Sequence, residues 1–120
     1  MSVQMKRAYE EPAGDDGYRV LVDRLWPRGR RKEDLKLDAW PKELAPSTGL
    51  RTWFGHDPER WPEFRRRYRR ELRGDAATRL LGDLVKRARR GRLTLVYAAK
   101  DSAHNDAAVL KAIIEGALNA

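Results

Sequence analysis

Apolar and polar positions alternate through Val3-Gln4-Met5-Lys6-Arg7, the period of a strand with one face on a core and the other in water. That pattern predicts an edge strand. Residues 10–17 follow, rich in turn formers and acid, and read as an exposed loop. The next apolar run, Val20-Leu21-Val22, is unbroken and mostly β-branched, which predicts a central strand covered on both faces, as in the parallel sheets of α/β domains. A third such run spans residues 93–99. Both buried runs stop abruptly at polar residues, the first at Asp23, Arg24, Trp26 and Arg28, the second at Lys100, Asp101, His104 and Asn105.

Helical spacing fills the rest. Residues 27–56 carry three prolines and three glycines, too much punctuation for a long element. Short helices are expected at 33–37 and, capped by Ser47, through Leu50, Trp53 and Phe54. Trp26, Trp40, Trp53 and Phe54 are read as core anchors of this connection. Asp57-Pro58-Glu59 is a helix start, and Trp61, Phe64, Tyr68 and Leu72 form one apolar stripe on a helix over 58–73. Gly74 ends it and Asp75 is expected to cap the next helix, whose stripe is Ala77, Leu80, Leu81, Leu84 and Ala88, with Gly91 at its exit. A last helix runs to Glu115, capped by Ser102 or Asn105, with unpaired backbone N–H groups that favour an anion at its start.

Strands separated by helices indicate an α/β fold with a small, mainly parallel sheet of three to four strands flanked by helices, in a single domain over residues 1–120. Two doubly covered strands in so small a sheet predict either a short fourth strand or extension by a partner chain. The oligomeric state is left open.

Composition narrows the function classes. Cysteine is absent, which excludes disulfides, thiol catalysis and thiolate metal sites. No run approaches the roughly 20 apolar residues needed to cross a bilayer, so a soluble, cytoplasmic protein without membrane partners is expected. The net charge of +8 favours anionic partners. Much of the excess lies on helix 58–73, where Arg65, Arg66, Arg67, Arg69, Arg70 and Arg73 surround the apolar stripe. Arg66, Arg69 and Arg70 are accordingly the candidates for a nucleic-acid-binding face, the alternative being a solvated face whose stems cover apolar surface.

If the two buried strands are neighbours, their polar ends face each other across one crevice, where open α/β sheets bind ligands. A small anionic ligand, phosphorylated or nucleotide-like, would be held there by Arg24, Trp26, Arg28, Lys100 and Asn105, with Ser47 and His56 on nearby loops. Arg24 and Arg28 would supply bidentate bonds. Asp23, Asp101 and His104 are the candidates for proton transfer if the site is enzymatic. No compact ligand spacing such as HExxH is present, so no metal site is expected. Ser47 and Ser102 lack the setting of a nucleophile elbow.

Residues 16–29, Leu44-Ala45-Pro46-Ser47, Trp53-Phe54-Gly55-His56-Asp57-Pro58, the helix with Phe64, Tyr68, Glu71 and Leu72, and Tyr97-Ala98-Ala99-Lys100-Asp101 with His104-Asn105 resemble the YeaO-like family of bacterial proteins. The resemblance spans nearly the whole chain. It implies no established reaction, substrate or cofactor, so the cofactor is unknown. The residues that carry it include the polar strand ends and the two loops, which fits a common site at those positions.

Overall fold

The computed structural model describes residues Met1–Ala120. Three strands, β1 (Ser2–Arg7), β2 (Tyr18–Leu21) and β3 (Arg92–Tyr97), form an all-parallel sheet in the order β1-β3-β2. Five α-helices accompany it: α1 (Lys32–Leu35), α2 (Thr48–Phe54), α3 (Trp61–Glu71), α4 (Asp75–Arg90) and α5 (Asp106–Leu118). This is the expected α/β architecture. No helix is long and apolar enough to cross a membrane.

The alternation in each strand divides the sheet into two unlike faces. Val3, Val20, Leu93, Leu95 and Tyr97 point into the main core, which also takes the apolar stripes of α3, α4 and α5. Leu21 and Val96 face the other way, into a small cluster with Ala8 and Leu35 of α1. The remainder of that second face is polar and sealed by the loop before β2. There Thr94 donates to the Asp16 carbonyl oxygen at 2.6 Å, and buried Asp16 accepts from Arg19 at 2.6 Å and from Lys6. The bonds from Lys6, Arg19 and the Ala13 N–H hold the Asp16 carboxyl below its ordinary range against the opposing effect of burial. Gly17 is required at this loop: its φ is +67°, and an added Cβ would lie 2.1 Å from the Arg92 carbonyl oxygen.

β3, not β2, is the central strand. β2 nevertheless reads as buried because residues 38–40 lie along its outer edge: the Leu21 N–H donates to the Ala39 carbonyl oxygen at 3.1 Å, and the Asp38 N–H donates to that of Arg19 at 2.8 Å. A single bridge residue, Ala39, therefore stands where a fourth strand or a partner was expected.

Several boundaries differ from the sequence pattern. Asp57 caps only a 3₁₀ turn at Pro58–Arg60, and α3 begins at Trp61. Gly74, in extended conformation, occupies the cap position of α4 and Asp75 is its first helical residue, where its charge still complements the helix dipole. The last helix continues through Gly116 to Leu118.

Candidate functional site

Parallel pairing fixes where the polar ends go. Leu21 lies opposite Val96, so two residues further on Asp23 meets Ala98, whose N–H donates to Asp23 Oδ2 at 2.9 Å. Arg7, one strand away, donates to the Ala98 and Ala99 carbonyl oxygens and pins the start of the loop that carries Lys100 and Asp101. The two ends thus open on one cavity of about 760 Å³, within the usual size of small-molecule sites. Asp23, Arg24, Trp26, Arg28, His56, Lys100, Asp101, His104 and Asn105 all line it.

Ser47 does not. It caps α2 through the Leu50 N–H at 3.2 Å, and its backbone N–H and hydroxyl both donate to the Glu71 carboxylate, at 2.8 and 2.6 Å. Ser47 joins two helices, which accounts for its place in the sequence motif without a ligand. Asn105 lines the cavity, but both ends of its amide are engaged in the fold. Its Oδ1 accepts from the Ala108 N–H at 2.9 Å and its Nδ2 donates to the Asp101 carbonyl oxygen at 2.8 Å. It is the cap of α5, and Ser102 is not.

At the start of α5 two of the backbone donors that an anion would use are already taken within the chain. The Ala107 N–H donates to Asp106 Oδ1 at 2.8 Å, and Asn105 occupies the Ala108 N–H. Carboxyl groups already fill this end. Arg24 is similarly committed: its Nε and Nη2 donate to the Pro46 and Ala45 carbonyl oxygens at 3.1 and 3.2 Å, so the bidentate edge expected to grip a ligand holds a loop instead. Arg28 and Lys100, with Arg51 of α2, are exposed at the rim and make no ion pair within the chain.

Two pairs of titratable groups remain. Asp101 accepts from the Ala103 and His104 N–H groups and bonds His104 Nδ1 at 2.8 Å, which fixes the imidazole and leaves Nε2 free of protein partners. The His104 bond and these backbone donors keep the Asp101 carboxyl below its ordinary range. The His104 ring stands edge-on to Trp61, centroids 5.3 Å apart. On the floor, Asp106 faces the Asp23 side chain, and burial together with the Asp23 charge drives the Asp106 carboxyl well above the carboxylate range. Buried Tyr68 lies close to this pair; its hydroxyl donates to the Leu44 carbonyl oxygen at 2.6 Å, and burial and the neighbouring carboxyl groups raise it well above the ordinary phenol range.

Asp106 is the residue that sequence reasoning misses. As the first residue of α5 it passes for an ordinary helix-start acid, and only the register of β2 against β3 reveals its partner. Arg51, Phe54 and Phe64 also line the cavity, delivered by helices whose sequence patterns report only helix and core, and Tyr9 reaches it from the turn after β1. Trp26, expected in the core, is 37% exposed at the rim. His56 reaches the cavity from a left-handed backbone position, φ 58°, directly after left-handed Gly55. A non-glycine residue there is uncommon and is found preferentially at functional sites.

The nucleic-acid candidates are divided. Both guanidinium ends of Arg66 bond Glu63, at 2.9 and 2.6 Å, and Arg67 shares that carboxylate at 2.7 Å. These bonds pull the Glu63 carboxyl down to about 2. Arg67 also stacks on Trp53, 4.5 Å from its ring centre. Arg69 and Arg70 are exposed and unpaired.

Relatives align with nearly the whole chain. The chain is 46% identical over 114 residues to the uncharacterized protein Rv3073c of Mycobacterium tuberculosis H37Rv, covering 95% of this chain and 94% of that one. It is 45% identical over 111 residues to the uncharacterized protein YeaO of Escherichia coli K12, covering 92% and 94% respectively. No solved structure matches it. The family model described as the inactive DUF488-N3 subclade matches residues 2–120. With that match running almost end to end and 45% identity to YeaO, the chain belongs to the inactive DUF488-N3 subclade, a YeaO-like family.

Proposed function

We propose that this protein binds a small phosphorylated or nucleotide-like anion in the cavity at the carboxyl ends of β2 and β3, without turning it over. One observation carries the reading: Arg28, Lys100 and Arg51 ring the mouth of a cavity of about 760 Å³ and have no carboxylate partner in the chain. Unpaired cations at a concave, partly desolvated mouth concentrate field and attract anions, and the net charge of +8 extends that attraction outward. Binding is assigned to these three side chains because Arg24, Asn105 and the start of α5 are occupied by the fold. The Asp101–His104 pair could move a proton, yet the description of the family as inactive favours recognition over catalysis.

Calorimetric titration with inorganic phosphate and ribose 5-phosphate tests this. Arg28→Ala and Lys100→Ala, both at exposed positions, should each weaken ribose 5-phosphate binding at least about tenfold, the value of a charge-assisted bond. No heat with either compound, or equal affinity in both variants, overturns it.

A further inference from the structure

We propose that the floor of this cavity recognises a nucleobase bearing an exocyclic amino group, so that the anion at the rim is the phosphate of a nucleotide. The inference rests on the anion-binding reading above and names the ligand's other end.

The cavity makes three separate demands. Its rim asks for negative charge. Its wall asks for a flat apolar body: of the exposed large hydrophobic side chains, Tyr9 at 41%, Leu25 at 57% and Trp26 at 37% all line this cavity, and only Met1 lies elsewhere. Such a concentration at one mouth is unusual for scattered surface apolar residues. Two of the rings are held in place before any ligand arrives. The Trp26 indole N–H donates to the Arg30 carbonyl oxygen at 2.6 Å with its ring edge-on to Trp40, and the Tyr9 hydroxyl donates to the Arg28 carbonyl oxygen at 3.0 Å. Fixed aromatic faces suit stacking of a base.

The floor is the third demand. Asp23 and Asp106 both line the cavity, and each accepts one backbone N–H, from Ala98 at 2.9 Å and from Ala107 at 2.8 Å. Their carboxyl oxygens offer a ligand acceptor lone pairs. A ligand must bring N–H groups. The amino edges of adenine, cytosine and guanine do so, whereas uracil brings two carbonyl oxygens on either side of one N–H and sets them against carboxyl oxygens. A sugar phosphate meets the first demand alone, and an aromatic acid leaves the floor unsatisfied.

Calorimetry with ribose 5-phosphate, AMP, CMP, GMP, UMP, unphosphorylated adenosine and the single-stranded tetranucleotide of deoxyadenylate separates the parts. The three amino-bearing nucleotides should bind at least about tenfold more tightly than UMP and ribose 5-phosphate, one good hydrogen bond to a charged group being worth about that factor. With folding checked by circular dichroism, Asp106→Asn should erase the margin over UMP, and Trp26→Ala should shrink the margin of every nucleotide over ribose 5-phosphate. Tighter binding of the tetranucleotide than of AMP assigns the base to a strand, and the converse to a free nucleotide; either source keeps the chemistry. Equal affinity for all nucleotides and ribose 5-phosphate, or a margin unchanged in Asp106→Asn, overturns the base assignment while leaving the anion site standing. Adenosine binding as tightly as AMP keeps the floor and removes the anion site, and no binding by any of them removes both.

Discussion

Asp106 shows how far one residue's behaviour departs from its type. A carboxylic acid at the first position of a helix is ordinarily ionised and favoured by the dipole. Here burial and the facing Asp23 carboxyl favour the protonated form instead. The folded-state value is raised above 3.8, so between that pH and the raised value the folded chain binds more protons than the unfolded one, and stability falls as pH rises through that window. Asp106→Asn removes this penalty. Its thermal midpoint should therefore exceed that of the parent at pH 7, and the gain should vanish as pH falls toward 4, measured by unfolding scans across pH. Asp16 and Asp101, whose values are lowered, act with the opposite sign and lose their contribution only as pH falls below the carboxylate range. Cancelling them requires the comparison of variant with parent at each pH. The chemical types at the floor and rim were legible from residue order alone: Asp23, Arg28, Lys100, Asp101 and His104 stand where apolar runs end. The pairing of Asp23 with Asp106 was not, because the two lie 83 positions apart and meet only through strand register and the docking of α5 on the sheet.

At the scale of elements, caps and carbonyl anchors explain why several motif residues are not ligands. Ser47 ends one loop, starts α2 and ties it to the end of α3 through Glu71. Ser47→Ala should cost about 1 kcal/mol of stability, the value of an N-cap, and leave ribose 5-phosphate affinity unaltered. Denaturant unfolding and titration of the same variant check both halves; a loss of affinity without a loss of stability would return Ser47 to the site. The helices themselves were readable because their apolar stripes recur with helical period, as at Phe64 and Tyr68 or Leu81, Leu84 and Ala88. Their first residues were less so. Whether Gly74 or Asp75 caps α4 depends on the backbone angles by which the chain leaves α3, and side-chain preference does not set those.

At the scale of the molecule, one edge of the three-stranded sheet, that of β2, is covered by the chain itself. Residues 38–40 satisfy the outward amides of β2: Arg19 N–H donates to Asp38 Oδ2 at 2.8 Å and Leu21 N–H to the Ala39 carbonyl oxygen. An open β-edge invites pairing with another chain, and this segment closes it. Native-state hydrogen exchange should find the amides of β3 slowest and those of Arg19 and Leu21 protected well above the level of exposed loops. Free exchange at Leu21 would mean that the covering segment does not stay docked and that β2 is an open edge.

What the sequence determined by itself is local and repetitive: strands from alternation or unbroken apolar runs, helices from their stripes, the α/β class from their succession, and the polar character of the strand ends. Each follows from a period of two or of about 3.6 residues, which acts over neighbouring positions. The tertiary structure decided the rest. It made β3 central, laid Ala39 against β2, turned Arg24 and Asn105 to structural use and set Asp106 against Asp23. Those outcomes depend on register and on competition among distant groups for a limited set of hydrogen-bond partners, and no local pattern encodes either.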